Sequence, residues 1–159
     1  MAQTSRLETV QNLRLALGWV SGAYLAVAAL GTWVAIRDDL AGRPFGWDLS
    51  LSPLSNFVFG LGTALSAPLV LLVALVAANL LLGRGQQVRR RAAGVIAFLG
   101  TGFVIGMLAE PIARNVLDGF SRDPLTSAIV SANLLLPLAM VILAVRIRVG
   151  SSPSLSATP

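Results

Sequence analysis

Long apolar runs dominate this chain and alternate with short polar breaks. Four runs approach or exceed the roughly 20 residues that a membrane-spanning helix needs, and they cover residues 15–36, 57–82, 92–112 and 125–146. Each run is too apolar all round for an amphipathic surface helix, and no alternation typical of a membrane barrel strand occurs. The pattern predicts an all-α fold: a polytopic membrane protein whose single domain, residues 1–149, is a four-helix transmembrane bundle.

The breaks between the runs carry the signals of helix ends. Arg37-Asp38-Asp39 follows the first run, and Pro124 fits the first turn of the last helix, where its missing N–H is not needed. The small, polar tail over residues 150–159 predicts disorder. The N-terminus could instead be a cleaved signal peptide, but its apolar run continues to Ile36, and this length favours an uncleaved helix.

The amino-acid composition agrees with a membrane protein and excludes several kinds of catalytic and metal site. Of 159 residues, 55% are hydrophobic and 12% are charged, whereas a soluble domain carries about 25% charged residues. The absence of cysteine and histidine removes thiolate catalysis, the commonest general base and the commonest metal ligand. We therefore expect no catalytic residue of those types, no metal and no cofactor.

The basic residues, all of them arginine, predict the orientation. With four spans, eight arginines lie on the side of the two termini and four on the other side. The positive-inside rule then places both termini in the cytoplasm of a plasma (inner) membrane protein. The triplet Arg89, Arg90 and Arg91 is expected to contact anionic lipid. Because the arginines fall between apolar runs, we do not interpret the high basicity as nucleic-acid binding.

Glu110 is the most informative polar side chain, because it closes the third apolar run near the predicted outer interface. Arg114 follows four residues later, which on a continuous helix gives a favourable ion pair. Pro111 frees a carbonyl one turn earlier, so this helix must kink or recruit another donor. Two interpretations stay open: a carboxylate that handles a ligand or proton in a cavity, or a structural pair that fixes the helix end.

Asn133 is a second candidate, because an amide about 12 Å below the outer end of the last run needs a partner in hydrocarbon. Ser131, Thr101 and Tyr24 lie at comparable depth, so simple interhelical bonding is the alternative. Other hydroxyl groups also fall in the outer half, and together they would line a small polar pocket if they point inward. The candidate ligand-binding residues are Glu110, Arg114, Asn133, Tyr24 and Ser66.

Two pairs of glycines have the spacing of a helix-packing motif. Gly18 and Gly22 lie in the first run, and Gly102 and Gly106 lie in the third. Small residues four positions apart let helices approach closely in lipid. They predict close packing within the bundle or, alternatively, between copies of the chain or with a membrane-protein partner.

These features lead to ranked functional hypotheses. The first is a non-enzymatic accessory or partner-binding membrane protein held by glycine-mediated packing. The alternative is a small-molecule binder or transporter with an outward-facing pocket around Glu110, Arg114 and Asn133. A membrane-embedded enzyme ranks third, since Glu110 would act as acid or base without help from histidine or cysteine.

Overall fold

The computed structural model describes residues 2–46, 51–60, 62–119 and 123–150. Within these ranges the fold is all-α, with a 3-10 turn in the loop after the first helix. The helices are α1 (Ala2–Arg37), α2 (Pro53–Phe59), α3 (Leu69–Leu81), α4 (Gln86–Ala109), α5 (Pro111–Leu117) and α6 (Pro124–Gly150), and the 3-10 turn is Pro44–Gly46.

Three helices are long and apolar enough to cross a membrane, in the ranges Thr9–Arg37, Gln86–Ala109 and Pro124–Gly150. The predicted all-α fold is thus confirmed for the described residues, the three long helices fit a membrane protein, and the last helix begins at Pro124 as expected. The second predicted run is not one helix. It is divided into the short helix α2, an irregular stretch and the 13-residue helix α3. A bundle of four continuous spans is therefore not confirmed.

The irregular stretch, residues 62–68, is called here the unwound segment. Gly62 has φ +96°, a conformation that side chains other than glycine rarely adopt. At the other end, Pro68 is the N-cap of α3 and disfavours helical backbone in the residue before it. A hydropathy profile does not detect either effect, because glycine and proline end a helix without adding a polar side chain to the apolar run.

Backbone groups of the unwound segment find partners inside the protein. Thr63 and Ser66 exchange backbone hydrogen bonds of 2.9 and 3.3 Å, and the N–H of Ala64 donates to the carbonyl of Leu40 at 3.3 Å. The side-chain amide of Asn133 donates to the carbonyl of Leu65 at 2.9 Å. Irregular backbone at membrane depth is tolerated where it is enclosed by protein in this way.

The core forms where α1, α3, α4 and α6 pack together. Two glycines allow close approaches there: a Cβ on Gly31 would lie 2.4 Å from the carbonyl oxygen of Leu65, and one on Gly100 would lie 3.0 Å from that of Pro137. The largest fully buried side chains in the packed faces include Leu17, Tyr24, Leu75, Ile96, Met140 and Ile147.

The glycine pairs singled out from the sequence do not occupy these approaches. A Cβ on Gly18, Gly22, Gly102 or Gly106 would meet nothing within 4 Å. Their predicted role in packing within the bundle is wrong, because these four positions face open space while other glycines lie at the crossing points. Packing against a second chain stays a prediction.

Two predicted boundaries also shift. The first helix begins at Ala2 rather than near residue 15, since its polar N-terminal turns continue the apolar span. Gly150 belongs to α6 rather than to the predicted tail, and the rest of that tail, residues 151–159, lies outside the described residues.

Candidate functional site

The chain changes direction at Glu110, between α4 and α5. Glu110 itself is extended, with φ −74° and ψ 134°, and Pro111 opens α5. The N–H of Glu110 still donates to the carbonyl of Met107 at 3.1 Å, but the proline ring has no N–H to continue the pattern. The sequence predicted a kink or a recruited donor here, and the structure has both a break and a new donor.

That donor is Arg114, which does not pair with Glu110. Its Nε donates to the carbonyl of Leu108 at 3.4 Å, and its Nη2 donates to that of Ala109 at 3.5 Å. The predicted ion pair is wrong because the break at Glu110 removes the continuous helix on which the i, i+4 geometry depends. Arg114 instead caps the end of α4, a common role for a basic side chain near exposed carbonyls.

Glu110 points into the protein and is only 5% exposed. Its Oε2 accepts a hydrogen bond of 3.1 Å from the backbone N–H of Arg43. Among the described residues no arginine forms an ion pair with it. Glu110 lies just beyond the span Gln86–Ala109; burial raises the pKa of its carboxyl above the usual value, and the bond from Arg43 partly opposes this shift.

Glu110 lines a cavity of about 230 Å³ enclosed by the unwound segment and by α1, α3, α4 and α6. Phe103 lies seven residues before Glu110, so the cavity wall along α4 covers about 10 Å of helix rise. Four of the five candidate ligand-binding residues line this one space, namely Glu110, Asn133, Tyr24 and Ser66. The fifth, Arg114, lies outside it.

Asn133 is 2% exposed and lines the cavity. The sequence predicted Ser131, Thr101 or Tyr24 as its partner, and this is wrong. Ser131 and Thr101 are both exposed, and the amide nitrogen of Asn133 bonds to Leu65 in the unwound segment. Its Oδ1 is buried and has no hydrogen-bond partner.

Aromatic rings form another part of the wall. Tyr24 of α1 and Phe103 of α4 stack with ring centroids 4.9 Å apart and an angle of 24° between planes. Phe103 and the neighbouring Met107 were not predicted as site residues, since in a chain of apolar runs neither differs in sequence from a core residue. Only the tertiary structure, in which α4 packs on α3 and α6 and Phe103 stacks on Tyr24 of α1, shows that they face a cavity.

One side of the cavity wall is thin. Gly102 is exposed and Gly106 is half-buried, and both line the cavity with open space around the position of a Cβ. Larger residues there would close this side. The cavity therefore has an opening on the face of α4 that a bilayer would cover.

The cavity combines apolar and aromatic walls with hydrogen-bond acceptors. The carboxylate of Glu110 and the Oδ1 of Asn133 both lack a side-chain donor among the described residues. Acceptors in an apolar space favour a guest that brings donors or positive charge, and aromatic faces also attract cations. The described residues contain no group of three or more potential metal ligands.

No protein-family model, curated protein or solved structure matches this chain. Any role assigned to it therefore rests on the chemistry of its own residues.

Proposed function

We propose that this chain is a multi-pass plasma (inner) membrane protein that crosses the bilayer four times, with the second crossing broken at the unwound segment. The packing supports this arrangement. Thr63 pairs with Ala41 just after the end of α1, while Gly83, just after α3, lies beside the side chain of Arg14. These contacts near opposite ends of α1 support a second crossing between residues 63 and 83. The arginine distribution favours cytoplasmic termini.

We further propose that the protein binds a small amphiphilic amine in the cavity, as a binder or transporter. The outward-facing pocket expected from the sequence becomes, in this proposal, a cavity in the outer half of the bundle that a guest enters from the lipid side of α4. The observation that carries this proposal is the convergence of Glu110, Asn133, Tyr24 and Ser66 on one space of about 230 Å³. An ammonium group would meet the carboxylate, and its alkyl part would contact the apolar wall. The break in the second crossing supports the same view, because discontinuous membrane helices often surround binding sites.

The accessory role ranked first from the sequence has less support. It depended on the glycine pairs as packing faces, and one of these pairs, Gly102 and Gly106, lines the cavity. Binding therefore explains more of the structure than a purely scaffolding role. Contact with anionic lipid near Arg89, Arg90 and Arg91 remains part of the proposal, since Arg90 and Arg91 share a surface groove with Arg148.

A thermal-shift experiment on the full-length protein in uncharged detergent tests amine binding. Alkylamines of increasing chain length are compared with the matching alcohols and carboxylates, on the wild type and on Glu110→Gln. We expect amines to raise the melting temperature of the wild type and to lose this effect in the variant. Asp118→Asn is the matched control, because it removes an exposed carboxylate away from the cavity.

The variant itself should fold. Burial raises the pKa of Glu110 in the folded protein, so an ionised Glu110 lowers the stability of the fold at a pH above this raised value. A neutral glutamine at this position removes that loss of stability. Without ligand at neutral pH, we expect the melting temperature of Glu110→Gln to equal or exceed that of the wild type. Amine shifts that persist in Glu110→Gln, or that disappear equally in Asp118→Asn, would contradict the proposal.

A further inference from the structure

A second feature lies on the opposite half of the bundle from the cavity, in a groove between α1 and α3. The groove measures about 520 Å³ and follows the middle of α1, from Gln11 to Leu25. Gly18 and Gly22 form part of its wall, with nothing within 4 Å of a Cβ at either position. Leucine and valine side chains of both helices, including Leu15 and Val76, form the rest of its apolar surface.

This groove collects polar atoms that the protein does not satisfy. The described residues contain five buried side-chain nitrogen or oxygen atoms without a hydrogen-bond partner. Three of them belong to residues that line the groove: Nε of Arg14, Oγ of Ser21 and Oδ1 of Asn79. Ser21 is only 2% exposed. These three atoms are covered by protein, and unsatisfied buried polar groups are costly, so a guest that brings hydrogen-bond partners would stabilise the side chains when they turn toward the groove.

The chemistry of these atoms defines the ligand. Arg14 offers a positive charge and an N–H donor at one end of the groove, and no acid pairs with it among the described residues. Ser21 lies seven residues further along α1, or about 10 Å deeper, and offers a hydroxyl donor. A phospholipid carries its phosphate at the bilayer surface and its apolar acyl chains below it, which is the order of Arg14 and of the open wall at Gly18 and Gly22. Grooves between membrane helices with a basic end are known to hold anionic headgroups.

We propose that the groove is a binding site for one anionic phospholipid, with its phosphate on Arg14 and an acyl chain along Gly18 and Gly22. A second copy of the chain is the less favourable occupant. A symmetric contact through this face would bring two Arg14 side chains to the same depth, and like charges without partners repel in a low-dielectric setting.

Trp19 provides a local reporter of this site. It is 80% exposed and lies one helical turn from Leu15 and from Gly22, which both line the groove. In a Trp33→Phe/Trp47→Phe background it is the remaining tryptophan of the chain. The protein is reconstituted in phosphatidylcholine vesicles that contain a small fraction of brominated phosphatidylglycerol or, in a parallel sample, the same fraction of brominated phosphatidylcholine. Bromine quenches the fluorescence of Trp19 when the lipid lies beside it.

We expect phosphatidylglycerol to bind near Trp19 about tenfold more tightly than phosphatidylcholine, because both lipids carry the phosphate but only phosphatidylglycerol keeps a net negative charge to attract Arg14. Arg14→Gln should remove this preference. Arg84→Gln is the matched control, because it makes the same change on an exposed arginine outside the groove. Gly22→Leu should also weaken binding by filling the groove, and open space at that position lets the variant fold.

Several results would overturn the proposal. Equal loss of preference in Arg14→Gln and Arg84→Gln would indicate general surface charge, and unchanged binding in Gly22→Leu would remove the acyl-chain site. Competition by inorganic phosphate as strong as that by the lipid would assign the site to a free anion. Protection of Trp19 from both brominated lipids, together with cross-linked dimers, would identify a second copy as the occupant.

Discussion

Replacing Gly31 with alanine is expected to destabilise the fold, whereas the same replacement at Gly22 of the same helix should stabilise it. A Cβ on Gly31 would lie 2.4 Å from the carbonyl oxygen of Leu65, and ordinary contact begins at 3.4 Å. The carbonyl must therefore retreat by about 1.0 Å, the difference between these distances. At Gly22 nothing lies within 4 Å.

The energetic terms have opposite signs at the two positions. Forcing a group into packed structure costs about 1–3 kcal/mol. A retreat of Leu65 also breaks the 2.9 Å bond from Asn133, and a hydrogen bond of this kind contributes about 1 kcal/mol. Against these costs, alanine gains about 1 kcal/mol over glycine in a helix. We expect Gly31→Ala to lose about 1–3 kcal/mol, and Gly22→Ala to gain up to about 1 kcal/mol.

The assay is the free energy of unfolding from SDS titration in mixed micelles, followed by far-UV circular dichroism. A double variant, Gly31→Ala/Asn133→Ala, adds a specific control. If Gly31→Ala acts partly by breaking the bond from Asn133 to Leu65, the two changes should cost less together than the sum of their separate costs. A Gly31→Ala protein as stable as Gly22→Ala would refute the close approach of α1 to the unwound segment.

Further predictions concern α4, the cavity and the start of α6. Gly100→Ala should lower the free energy of unfolding by about 1–2 kcal/mol, since its Cβ would lie 3.0 Å from the carbonyl of Pro137. Gly106→Leu should leave the melting temperature unchanged, because the position is open, but should abolish amine shifts by filling the cavity. Hydrogen bonds from Thr126 hold the pKa of Asp123 below its ordinary 3.8. The ionised Asp123 therefore stabilises the fold fully at a pH above 3.8, and this stabilisation is lost as the pH falls through the lower pKa of the folded protein. The melting temperature of Asp123→Asn, measured against pH, should not show this loss at acidic pH.

The candidate site was partly predictable from the sequence. Glu110 and Asn133 stood out because polar side chains are rare and costly within long apolar runs, and the structure places both on one cavity. Their partners were not predictable. Asn133 bonds to a backbone carbonyl 68 residues away, and any of many carbonyls in the chain would have suited its amide equally well.

The interpretation of Glu110 shows the same limit. Its ion pair with Arg114 was inferred from spacing on a continuous helix, and Pro111 did warn of a break. Spacing rules hold only while the helix continues, and the chain is extended at Glu110. The direction in which each side chain then points depends on how α5 turns away from α4, which neighbouring elements decide.

The sequence alone determined that this is an all-α protein with helices long and apolar enough to span a membrane. Both properties follow from the length of each apolar run and from its lack of charge, which can be read along the chain without knowing any tertiary contact. Only the tertiary structure decided that the second apolar run is divided, since Gly62 and Pro68 permit a break that contacts from α1 and α6 stabilise. The cavity and the groove likewise exist only between helices. They depend on rotations of each helix about its axis, which uniformly apolar faces leave undetermined until the helices pack.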